Sequence, residues 1–141
     1  MEHNASSLEK AIKATKCICG IIYVGHGYRR KSNSVLKFNT ESQLAVEEIP
    51  CALTVHELPT KNFIPDSVSI LAACCGGTID ANFVSIAQKM SEHFKGKVMA
   101  SQNKLNFGES GPYTPDDKGE TIWNIFYNGE LSRSLSPRKC R

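Results

Sequence analysis

The chain has 141 residues and a mass of 15.5 kDa, with 40% hydrophobic and 22% charged residues. That composition suits one ordinary globular domain, excludes a disordered chain and argues against two separate cores. The 17 Lys and Arg against 14 Asp and Glu leave a net charge of +3, too mild to point to nucleic acid, and no apolar stretch approaches the roughly 18–20 residues of a membrane span.

Met1-Glu-His-Asn carries neither the basic nor the apolar region of a signal peptide. A cytoplasmic, reducing compartment is therefore expected, with an effector exported without a signal peptide as the alternative. The six cysteines are expected as free thiols. They form no Cys-x-x-Cys pair, so no metal is expected, and nothing in the composition asks for a cofactor.

In chain order, Ser6 or Ser7 caps a predicted helix running to about Thr15, with Leu8 and Ile12 on its core side. Lys16 to Val24 is apolar without alternation, the pattern of a strand buried on both faces in a parallel sheet. It stops at Gly25-His26-Gly27, and Arg29, Arg30 and Lys31 follow on an expected basic loop. Residues 34–40 and 44–49 alternate weakly, as an edge hairpin does, and 52–58 predicts a short helix ended by Pro59. Val68 to Ala73 is a second buried-strand pattern ending at Cys74-Cys75-Gly76-Gly77. Asp80 is the expected N-cap of a helix that places Phe83, Ile86, Ala87 and Met90 on one face through to Phe94, with Gly96 closing it. Lys97 to Ser101 predicts a third strand, 106–119 a long loop, and Thr121 to Tyr127 a last strand turned by Asn128-Gly129. Residues 1–131 are expected as a single α/β domain and 132–141 as a flexible basic tail. The expected architecture is a mostly parallel sheet of about four to six strands flanked by helices in three layers.

Two consecutive apolar strands thus end in reactive side chains, His26 and Cys74. Neighbouring parallel strands carry both to the same sheet edge, where such sheets bind ligands. A thiol needs an adjacent base to become a strong nucleophile, and an imidazole supplies one. The N–H groups of Cys74 and Gly27 are candidate donors to an oxyanion. The other histidines, His3, His56 and His93, lie in a terminus or on predicted helices and are expected to be structural or solvated.

Ile21-Ile-Tyr-Val-Gly-His26-Gly27 resembles the apolar strand and His-Gly of the caspase-like, or clan CD, cysteine peptidases. Ile70-Leu-Ala-Ala-Cys74 resembles their second block, an apolar strand ending in Ala-Cys. The two residues lie 48 positions apart, close to the roughly 50 of caspases. The segment 80–101 is similar to the helix and strand that follow the nucleophile in CHAT and toxin-autoprocessing members. The resemblance covers about residues 7–128. It implies a three-layer α/β fold and a cysteine endopeptidase with Cys74 as nucleophile and His26 handling protons. Ala72-Ala73-Cys74-Cys75-Gly76 stands where caspases have Gln-Ala-Cys-Arg-Gly, so aspartate selectivity is not implied. The family has further elements before its His strand, so a partner chain or a preceding segment is expected to cover this sheet edge.

A peptide or protein is the expected substrate, with neither nucleic acid nor membrane as partner. Arg29 and Arg30 are candidate contacts for an acidic group. Gln102 and Asn103, in the loop Ser101 to Glu109, are candidates for the pocket of the residue before the cut; the loop's polar character favours a small or uncharged residue there. Two alternatives stand beside the peptidase: a catalytically silent caspase-like adaptor, and a small thiol-redox protein using Cys74 and Cys75.

Overall fold

The computed structural model describes residues 4–39, 41–108, 111–113 and 122–135. Helix α1 (Ala5–Ala14) begins two or three residues earlier than Ser6 or Ser7 would place it, because the Asn4 side chain accepts the Ser7 N–H and makes Asn4 the cap. Two sheets follow. The larger is built from β1 (Ile22–Val24), β6 (Val68–Ala72), β7 (Lys97–Ser101), β10 (Trp123–Tyr127) and β11 (Glu130–Leu135), in that spatial order. The smaller is built from β2 (His26–Arg30), β3 (Asn33–Asn39), β4 (Ser42–Ala45) and β5 (Ala52–Thr54), also in that order. A short ribbon pairs β8 (Asn106–Gly108) with β9 (Gly111–Tyr113).

The molecule is α/β, as expected, and its main sheet has five strands. The sheet is mixed rather than mostly parallel. β1, β6 and β7 run parallel, whereas β7–β10 and β10–β11 are antiparallel. β10 pairs antiparallel with β7 and turns into β11 at Asn128-Gly129. Both turn residues have positive φ, as a tight two-residue hairpin requires.

The core lies on one face of this sheet. Leu71, Ala73, Val98, Ala100 and Phe126 meet Ile86, Ala87, Met90 and Phe94 of helix α2 (Ile86–Phe94), with Leu36 and Leu44 of the small sheet closing the side. Helix α2 is capped by Ser85, whose hydroxyl accepts the Gln88 N–H, not by Asp80, which is paired elsewhere. Lys95 takes the left-handed conformation that ends it, one residue before Gly96.

The opposite face of the main sheet carries a row in register: Ile22, Ile70, Met99 and Ile125. Neither helix packs on it. Helix α2 sits on the core face and α1 contacts the small sheet. Among the described residues the expected third layer is therefore missing, and the architecture is two-layered over this sheet.

Other expectations are corrected locally. Only Ile22–Val24 of the first apolar run forms a strand, and it is an edge strand with Ile22 74% and Val24 66% exposed, not a doubly buried one. The basic loop is strand β2, and Lys31 occupies its turn with positive φ. Residues 52–58 split into β5 and a single 3-10 turn, Val55–Glu57, closed by reciprocal Thr54–Glu57 hydrogen bonds. The tail expected from 132 onward is paired as far as Leu135, while 136–141 lie outside the described residues. The loop expected over 106–119 holds β8 and β9; 114–119 also lie outside.

The contrast between the two faces sets a test. Leu71→Ala should lose about 2–5 kcal/mol, since Leu71 is fully buried in the core. Ile22→Ser should change stability by less than about 0.5 kcal/mol. Urea unfolding of both variants measures the difference.

Candidate functional site

The larger sheet carries the ends of β1 and β6 side by side. Gly25 extends the pairing by donating its N–H to the Ala72 carbonyl at 3.2 Å. The chain then turns straight into β2. Two glycines make this corner possible. A Cβ at Gly25 would lie 2.7 Å from the Tyr23 hydroxyl, and one at Gly27 would lie 2.6 Å from the Cys74 carbonyl oxygen. The main chain after His26 is thus pressed against Cys74, and only a residue without a side chain fits there.

After β6 the backbone is held tightly by the segment that follows β7. The Cys75 N–H reaches the Asn103 carbonyl at 3.0 Å, and the Gly77 N–H reaches that of Ser101 at 2.8 Å. The Ser101 hydroxyl donates to the Ala73 carbonyl at 2.6 Å, and that of Thr78 to the Gln102 carbonyl at 2.6 Å. Gly76 donates to Ala73. The N–H of Cys74 has no acceptor among the described residues.

The Cys74 thiol is half-buried and held by one residue. Its Sγ donates to the Leu105 carbonyl at 3.4 Å and accepts the Leu105 N–H at 3.2 Å. Cys75 has positive φ and is buried. Burial pushes its thiol up from the ordinary range, with the Thr78 hydroxyl bond opposing the shift, which disfavours it as a nucleophile.

The structure brings the main chain of Gly27 to Cys74 but gives the His26 imidazole no hydrogen bond to the thiol. In an extended strand neighbouring side chains leave on opposite faces. With Gly27 turned to Cys74, the exposed imidazole leaves on the other side, where it lines cavities with Lys37 and Phe38. Its carbonyl, with that of Lys37, accepts the Tyr23 hydroxyl, each at 2.9 Å.

Of the basic candidates, Arg29 pairs with Asp80 at 3.1 Å and lies over the Phe83 ring at 4.5 Å. The guanidinium hydrogen bond holds the Asp80 carboxyl below the usual range. Arg30 stands on the same strand, its side chain without a hydrogen bond or ion pair to a described residue. Gln102 bridges Ile79 and Asn124. Its side chain accepts the Ile79 N–H at 3.0 Å and the Asn124 amide at 2.6 Å, and donates to the Ile79 carbonyl at 3.2 Å. Asn103 contributes its carbonyl to Cys75 and exposes its side chain. Glu109 lies outside the described residues. His93 binds the Leu58 carbonyl at 2.7 Å and His56 lies near the Thr54 hydroxyl, so both serve the scaffold.

Sequence reasoning missed Leu105 and Tyr23. Leu105 acts through its main chain, which any residue could supply. Tyr23 carried a signal, a hydroxyl inside an apolar strand, which needs an acceptor when buried.

Comparison with protein-family models, with curated proteins and with solved structures gives no match. Among the described residues no three His, Cys, Asp or Glu side chains gather as metal ligands, and no helix is long and apolar enough to cross a membrane.

The Tyr23 hydroxyl makes a pH test of this corner. Burial pushes its pKa up to about 12 from an ordinary value near 10. The folded state therefore keeps a proton that the unfolded chain gives up. Its contribution is full below pH 10 and is lost as pH rises towards 12. Stability should fall over that window, and Tyr23→Phe should flatten the fall while lowering stability near neutral pH. Thermal melts from pH 8 to 12 measure both.

Proposed function

We propose that the protein is a cysteine endopeptidase in which Cys74 attacks the scissile carbonyl and His26 delivers the proton to the leaving amine. The single observation behind this reading is the junction of β1 and β6, where His26-Gly27 is packed on the Cys74 main chain at the carboxyl ends of two adjacent parallel strands.

In this reading the Cys74 N–H, which has no acceptor among the described residues, donates to the oxyanion, with Gly27 beside it. Substrate displaces Leu105 from Sγ, and its own carbonyl takes the vacated place. The main chain at the Gly25-His26 corner turns with the side chain to bring the imidazole to the sulfur; hydrogen bonds of this kind commonly tighten only in the substrate complex. Cys74 Sγ then forms a thioester with the acyl half, the proton passes through His26 to the amine, and water releases the acid.

A second reading has its own support. The thiol is satisfied by Leu105 and the imidazole lies off it, as in a silent module that keeps the scaffold without the chemistry.

Alkylation separates the two. With iodoacetamide at pH 7, a peptidase labels at Cys74 faster than glutathione does, and His26→Ala brings the rate down to that of a free thiol. Against a peptide library, Cys74→Ala abolishes cleavage, His26→Ala costs about 10²–10⁴ in kcat/KM, and Cys75→Ala keeps a substantial part. Labelling of Cys74 no faster than glutathione, unchanged by His26→Ala and with no peptide cleaved, would leave the silent module standing.

A further inference from the structure

The main sheet is unfinished at β1. Ile21 accepts the Ile70 N–H at 2.8 Å and Gly25 donates to Ala72. Alternate residues of a parallel strand bond to the same neighbour. Ile21, Tyr23 and Gly25 therefore face β6, and the N–H and C=O of Ile22 and Val24 point outward along an open edge. The same two residues expose their side chains most among the large apolar residues of the described chain. Natural edges are usually guarded by charge, proline or a bulge; this one has none of them.

A cavity of about 710 Å³ opens beside that edge, between α1, β1 and β3. Leu8, Ala11, Leu36, Phe38 and Met90 line it, and His26 and Lys37 stand at the end of β1. No carboxylate lines it, and Lys37 has no ion pair with a described residue.

We propose that β1 accepts an extended segment of a partner polypeptide as a sixth strand. Its alternate apolar residues enter the cavity under α1, and an acidic residue on the same face meets Lys37 and His26. A small amphiphile would fill the cavity but leave the outward groups of Ile22 and Val24 unpaired. A second copy pairing through its own β1 would set Tyr23 against Tyr23. That ring is already used within its own fold, edge-on to Phe38 at 5.2 Å and bonded to two carbonyls, so both cavities would stay empty. The remaining segments of this chain, 1–3, 109–110, 114–121 and 136–141, contain no alternating apolar residues. A donated strand satisfies edge, cavity and charge together. The proposal does not rest on catalysis, so Cys74→Ala should leave binding unchanged.

The test uses the full chain and a fluorescein-labelled peptide, Glu-Thr-Leu-Thr-Leu-Thr-Glu, which reads the same in either strand direction. Anisotropy should show saturable binding, weakened at least tenfold when both Glu are replaced by Lys. Val24→Pro removes an outward N–H that the sheet does not use, and proline is tolerated on such an edge. It should weaken binding at least tenfold with the circular dichroism spectrum unchanged. Ala11→Trp, which fills the cavity from an exposed helix position, should do the same. Should Val24→Pro not fold, two peptides carry the question on the unaltered protein, one N-methylated at its Leu residues and one at its Thr residues. One should bind and the other should not. The proposal is overturned by absence of saturable binding at millimolar peptide, by equal binding of both N-methylated peptides, by loss on Ala11→Trp with none on Val24→Pro, as for a cavity ligand, or by sedimentation showing a dimer that Val24→Pro dissolves.

Discussion

The site depends on the main-chain contact between the turn after β6 and the segment after β7. Six hydrogen bonds cross it, from Cys75, Gly77, Thr78, Ser101, Ile79 and Gln102, and two further contacts hold Cys74 Sγ to Leu105. None of these belongs to a helix or a sheet ladder. They close the polar groups of a turn that is buried on its inner side, where an unmet N–H or carbonyl would cost about 1–3 kcal/mol. The turn can therefore take a left-handed residue at Cys75 and still be rigid. Cys74 is placed by this clasp rather than by β6 alone, and any chemistry at its sulfur has to loosen the Leu105 end while the other bonds stay closed.

The elements that were legible in the sequence are those that bury one side. β6, β7 and α2 show apolar runs or helical spacing because their packing against one another demands it. The β3–β4 pairing and the Asn128-Gly129 turn were legible for local reasons, weak alternation and the chemistry of positive φ. Misreadings arose where exposure and apolarity part company. Ile21-Ile-Tyr-Val looks like an interior strand, yet Ile22 and Val24 face solvent, and composition cannot tell a buried apolar residue from an exposed one. β11 was invisible for the opposite reason. Four of its six residues are polar and all but Leu135 are exposed, so its pairing to β10 depends on backbone bonds rather than on side-chain pattern.

At the site, residue type pointed to Cys74, His26 and Gly27, and spacing along the chain pointed to adjacent strand ends. The direction of the imidazole was not legible. It follows from where extended structure resumes after Gly25, and that one-residue choice decides which of His26 and Gly27 faces Cys74. The bridge that Gln102 makes between Ile79 and Asn124 was not legible either, because an amide suits a binding pocket and a structural bridge equally well.

The small sheet is an excursion of the chain between β1 and β6, and this bears on the order of events in folding. Strands β6, β7, β10 and β11 lie side by side in the order in which the chain meets them, and each of their connections is shorter than the one from β1 to β6. β1 can join only after the whole stretch from Gly25 to Ser67 has been gathered, and loop-closure entropy rises with that length. It then gains a three-residue ladder on one side only. Such a strand docks late and detaches at low free energy, well below global unfolding. The corner that carries His26 therefore opens more readily than the turn that carries Cys74, which stays anchored in its clasp.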